Sequence, residues 1–141
     1  MVDLAEPLEE FQEAKKFSGI FDKLALQLTA EFGDLSKFKN KKCLISYIGI
    51  DAPPYESVGF KGNQRKISKR GNAILRKVGY QAMKCMMSAK DLDNPVYCYM
   101  IKKEEGKAKK VCKFAGLNKF LRIYYVRVIE AKIVGEIKRV V

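Results

Sequence analysis

Between Asn72 and Ala89 the apolar residues Ile74, Leu75, Val78, Ala82, Met83 and Met86 return at intervals of three and four. That is the period of an α-helix, not of a strand. The same spacing recurs along nearly the whole chain, so the fold must bury several apolar helix stripes against one another. An all-α, compact helical domain is expected. Leu4, Leu8, Phe11 and Phe17 mark a short amphipathic arm that ends at Ser18-Gly19. Asp22 is placed to cap a second helix, with Leu24, Ala25, Leu28 and Phe32 on one side and Gly33 as its stop. Ser36 or Asn40 can begin a third helix, through Leu44, Ile45 and Tyr47 to Gly49. Asp51-Ala-Pro-Pro-Tyr55 breaks the pattern, because two prolines cannot continue a helix. Residues 55–69 read as a polar loop. Asn94-Pro95 is an N-cap followed by proline at the first helical position, opening a short helix that ends near Gly106. A last long helix is expected from about Lys107 toward Val128, and residues 129–141 fit helix or strand alike.

A chain of 141 residues suits one compact domain, or a domain with an arm, and 48% hydrophobic residues can fill a core. The division expected is an arm over 1–17, a helical domain over 18–128 and a tail over 129–141. No apolar run approaches the roughly 18 residues that a membrane helix needs. The acidic N-terminus lacks the order of a signal peptide, so a cytoplasmic location is the default expectation. There is no histidine, and Cys43, Cys85, Cys98 and Cys112 form no Cys-x-x-Cys pair. Finger-type zinc sites, histidine-based acid–base chemistry and Ser-His-Asp triads are thereby set aside. The cysteines are expected as reduced core residues.

Net charge is +12, and it is unevenly placed. Residues 1–34 hold eight acids and three bases, whereas residues 35–141 hold eight acids and twenty-five bases. From Ser57 to Lys90 there is no acid at all, but Lys61, Arg65, Lys66, Lys69, Arg70, Arg76, Lys77, Lys84 and Lys90 all fall there. Such a concentration suits a polyanion, with nucleic acid the foremost one. Within Ile67-Ser-Lys-Arg-Gly-Asn-Ala-Ile-Leu-Arg76, Gly71 permits an unusual backbone turn and Ser68 or Asn72 can cap the next helix. Lys69 and Arg70 then stand at the helix entrance beside outward backbone donors, and Arg76 and Lys77 extend the charge. Lys61, Gly62, Arg65 and Lys66 supply the preceding Gly-rich basic loop.

Other patterns carry less. Ser18 to Gly33 resembles the second half of a helix-hairpin-helix, but Phe21 occupies the second glycine position and favours packing over phosphate approach. Gly59-Phe-Lys-Gly62 matches the loop of KH domains, yet so short a pattern arises by chance, and a KH domain needs strands. Ser57 is a candidate nucleophile: a serine hydroxyl needs activation, and the nearby lysines and arginines could hold a scissile phosphate.

Four blocks in a fixed order carry a resemblance: Ala30-Glu-Phe-Gly-Asp-Leu-Ser-Lys-Phe38, Leu44-Ile-Ser-Tyr-Ile-Gly-Ile-Asp-Ala-Pro53, Glu56-Ser57 and Ile67 to Arg76. With Glu105-Gly-Lys-Ala-Lys-Lys110 and Lys119-Phe-Leu-Arg-Ile-Tyr124, they resemble the C-terminal half of the insertion-sequence transposases of the one-hundred-and-ten, one-sixteen and nine-oh-two type. The resemblance implies a recombinase in which a RuvC-like N-terminal domain carries a metal-binding acidic quartet and the C-terminal domain supplies a serine that links covalently to DNA. Ser57 falls on the nucleophile position, although Ser57-Val58-Gly59 replaces the usual Ser-Gly. No cofactor is expected in this chain; a divalent metal would belong to the N-terminal half, which the chain does not match. The resemblance further implies DNA as partner, a guide RNA, and either a full-length transposase or self-association. A truncated chain, inactive alone, is the expectation. The alternative is a non-catalytic basic DNA- or RNA-binding remnant.

Overall fold

The structure, a computed structural model, describes residues 1–52 and 66–141 in full and residues 56, 57, 60 and 61 by their backbone. Its helices are α1 (Val2–Ala5), α2 (Glu9–Lys15), α3 (Asp22–Phe32), α4 (Lys41–Ile48), α5 (Ala73–Ala89), α6 (Pro95–Glu104) and α7 (Lys109–Val140), with a 3-10 turn at Leu35–Lys37. The all-α class holds. Its one departure among the described residues is a small ribbon, β1 (Glu56–Ser57) antiparallel to β2 (Phe60–Lys61), with Glu56 opposite Lys61 and Ser57 opposite Phe60. It falls inside the stretch expected as plain loop.

α7 is the axis of the molecule. Leu117, Phe120, Leu121, Tyr124 and Val128 are buried along it, and α2, α4, α5 and α6 pack on its sides. Phe120 stacks on Tyr124 at 5.4 Å between ring centres and meets the edge of Phe17 at 4.8 Å. Such aromatic contacts add about 1 kcal/mol each beyond area burial. The N-terminal segment belongs to this core: Phe11, Ala14 and Phe17 are buried with Leu28 and Phe32 of α3. Pro7 separates α1 from α2, so the expected arm is two short helices. The ambiguous residues 129–141 continue α7 as helix.

Caps follow the sequence in most places. Asn40 Oδ1 accepts from Cys43 N at 3.0 Å, and Asn94 Oδ1 accepts from Val96 N at 3.0 Å ahead of Pro95. Asp22 does not cap α3. Phe21 is the N-cap, and Asp22 lies in the first turn with its carboxylate 2.9 Å from Lys15 Nζ. The cysteines also differ from expectation. Cys112 is buried, but Cys43 and Cys98 are exposed, since their positions on α4 and α6 turn away from α7.

The end of α7 is tied down by charge. Lys132 Nζ lies 2.5 Å from the carboxylates of both Glu10 and Asp34. Glu10 is buried, and it also accepts from Leu35 N at 3.1 Å. Tyr124 Oη donates to the carbonyl of Glu10 at 2.8 Å, and burial pushes the phenol pKa up.

Candidate nucleic-acid groove

The basic block from Lys66 to Asn72 is laid against the end of α4 by backbone hydrogen bonds. Ser68 N donates to Asp51 O (2.9 Å), Lys69 N to Gly49 O (3.0 Å) and Asn72 N to Tyr47 O (2.8 Å). The two segments cross at a pair of glycines. A Cβ on Gly71 would stand 2.2 Å from Tyr47 O and 2.4 Å from Gly49 N, so any side chain there collides with backbone. Gly71 is thus required for close approach. The unusual turn expected at Gly71 is made instead by Lys69, whose φ of 55° lies in the left-handed region.

Several candidate residues are engaged within the protein. Ser68 Oγ donates to Asp51 Oδ1 at 2.6 Å. Asn72 caps α5, its Oδ1 accepting from Ile74 N (2.9 Å) and Leu75 N (3.1 Å). Those two amides therefore do not face outward as donors for a ligand. Arg76 donates through Nη1 to the carbonyls of Ile48 (3.0 Å) and Gly71 (2.9 Å), locking the crossing from below. Lys69, Arg70 and Lys77 are exposed. Of Ser57 and Lys61 only the backbone is described, in β1 and β2; Gly62 and Arg65, like Gly59 of the KH-like match, lie outside the described residues. In the helix-hairpin-helix-like stretch, a Cβ on Gly19 would meet the carbonyl oxygen of Cys85 at 2.7 Å. That hairpin faces α5, in keeping with packing.

The docked block forms one wall of a wide groove of about 1110 Å³, and α7 with Tyr99 of α6 forms the other. Lys66, Lys69 and Arg76 come from the first wall, and Lys110, Lys119 and Arg122 from the second. Among the described residues no acid lines it. Six cations facing one space without counter-charge produce a focused positive potential. The α7 contribution was not among the sequence candidates. Its signal was present: Val111, Phe114, Ala115, Asn118 and Arg122 recur at helical spacing on a stripe separate from the buried one.

The start of α7 sharpens the charge argument. Ala108 provides no side-chain cap, no acid lies in the first turn, and Lys109 and Lys110 sit where the helix dipole is already positive. Both features are unfavourable without an anion and are relieved by one. Ile50 and Lys66, both groove residues, flank in sequence the segment that carries Ser57. Ser68 and Asp51 hold its two ends together.

Among the described residues no three histidine, cysteine or acidic side chains gather to hold a metal ion. Glu10 and Asp34 do converge, but Lys132 Nζ already occupies the space between them. No described helix is long and apolar enough to cross a membrane.

The model of the Transposase IS116/IS110/IS902 family matches residues 12–97. That segment covers α3, α4, the block at Lys66–Asn72 and α5; all of α7 lies beyond it. No curated protein matches the chain.

Proposed function

Since this chain belongs to the IS116/IS110/IS902 transposase family, we propose that it serves DNA transposition by holding DNA phosphates in the groove and presenting Ser57 to one of them. The observation that carries the reading is the groove itself: Lys66, Lys69 and Arg76 on one wall face Lys110, Lys119 and Arg122 on the other, without an acid among its described residues. Arg70 and Lys77 add charge on the adjoining surface, and Lys61, Gly62 and Arg65 belong to the segment that bears Ser57. Ser68 and Asn72 act through the backbone, by fixing the loop and the start of α5.

The chemistry assigned to Ser57 is phosphoryl transfer. Its Oγ gives up its proton and bonds to the phosphorus, one bridging sugar oxygen leaves with the bonding pair and takes up a proton, and the strand remains joined to the serine as a phosphodiester. The cations stabilise charge that develops on the non-bridging oxygens. A guide RNA and a second copy or longer transposase are further partners on this reading. The reading of a non-catalytic DNA-binding remnant differs at one atom, Ser57 Oγ.

The test is a denaturing gel of the chain incubated with end-labelled DNA that carries a good leaving group at the scissile phosphate. The activated leaving group asks only for the first bond exchange and not for complete transposition, which the chain alone is expected not to perform; a denaturation-resistant adduct is expected for the wild type and none for Ser57→Ala, with DNA affinity unchanged. Binding by both without an adduct would leave the remnant reading standing and remove Ser57 from the chemistry.

A further inference from the structure

The groove is lined by apolar groups as well as by cations. Ile50, Ile67, Val111, Phe114 and the ring of Tyr99 line it between the six cations. Val111 is 52% exposed. Phosphates of an intact duplex satisfy the cations but leave the apolar groups either wet or pressed against charge. An unpaired strand satisfies both, with phosphates on the cations and base faces on the apolar groups. Tyr99 carries cations beside its ring: Nζ of Lys119, itself a groove residue, lies 4.9 Å and Lys103 Nζ 5.4 Å from the ring centre. Phe114 is buttressed from behind by Tyr80, 5.3 Å between ring centres.

Resting on the DNA-binding reading above, we infer that the groove takes unpaired nucleotides of a DNA strand, with a base stacked on Tyr99 and its neighbours over Phe114 and Val111. A strand opened near the reacting phosphate would be the natural occupant. Sequence preference is expected to be slight, because every base offers a flat face.

The experiment is fluorescence anisotropy of the full chain at one salt concentration, with four related probes. These are an intact duplex, the duplex with a short central run of mismatched thymidines, and the thymidine-bearing strand alone as DNA and its counterpart as RNA. The mismatched duplex is expected to bind at least about tenfold tighter than the intact one, the effect of one or two stacked bases. Tyr99→Ala should abolish that ratio and Tyr99→Phe should keep it. Val111→Asp, at an exposed position that folding tolerates, should reduce it as well. Equal affinity for intact and mismatched duplexes, with binding still salt-sensitive, overturns this inference and leaves the DNA-binding reading in place. Tighter binding of the RNA strand overturns the assignment to DNA. Failure to bind any probe overturns both readings.

Discussion

Gly71→Ala should lower the melting temperature by about 10 °C, the shift that about 3 kcal/mol produces in a chain of this size. The added methyl would sit 2.2 Å from the Tyr47 carbonyl oxygen and 2.5 Å from the Ile48 carbonyl carbon. Neither can give way alone, because Asn72 N is bonded to that Tyr47 oxygen at 2.8 Å and Arg76 to the Ile48 carbonyl at 3.0 Å. The clash must separate α4 from the basic block, and with it dismantle one wall of the groove. DNA affinity should fall in the same variant. Gly106→Ala is the control, since nothing lies within 4 Å of a Cβ there. Thermal melts of the three proteins decide the matter. A Gly71→Ala protein that melts with the wild type would mean that the crossing is not as tight as described.

Lys132→Met should cost about 3 kcal/mol near neutral pH. Glu10 is buried, and without the ammonium its charge keeps only the Leu35 amide at 3.1 Å. Glu10→Gln combined with Lys132→Met should recover most of the loss, because a neutral pair of similar volume needs no counter-charge. Burial opposes the Lys132 ammonium, but hydrogen bonds to Asp34 and Glu10 outweigh it and raise its pKa above the lysine value. Asp34 is affected in the opposite sense: the hydrogen bond from Lys132, then that from the Ser36 amide, hold its carboxyl at about 2 rather than 3.8. A depressed carboxylate stabilises the fold above its unfolded pKa, and that contribution is lost as pH falls through its folded value. Wild-type stability should therefore decline between about pH 4 and about pH 2. The decline should be shallower in Lys132→Met, as read from urea melts across that range. Parallel curves would show that Asp34 titrates without sensing Lys132.

Much of the fold is written in local spacing. The stripe Leu75, Val78, Ala82, Met83 and Met86 places α5 correctly, and Asn40, Asn72 and Asn94 cap the helices they precede. Within that stretch Ile74 belongs to the apolar pattern yet stands exposed, because the buried arc of α5 is narrower than the stripe read from sequence. Residues 129–141 were undecided for a physical reason. Their apolar residues Ile133, Val134, Ile137 and Val140 remain exposed, so no buried face sorts helical from extended spacing; helix there is settled by continuity with α7 and by the Lys132 anchor. The first wall of the groove was legible because its cations lie in one acid-free run. The second was not, because Lys110, Lys119 and Arg122 are dispersed among buried residues of a helix that reads first as core. The role of Gly71 was visible only in part: sequence indicates that a glycine matters there, but the collision it avoids is with a segment more than twenty residues away.

The groove as a phosphate-binding surface is tested most directly by titrating the purified chain into labelled duplex DNA at about 50 and about 200 mM salt, alongside the Lys119→Ala/Arg122→Ala double variant. With six cations engaged, wild-type affinity should fall by about a thousandfold across that range. The double variant should show a log–log salt slope flatter by roughly two units, one for each phosphate contact removed. Affinity that ignores salt, or a slope that the double variant leaves unchanged, would contradict the placement of DNA in this groove.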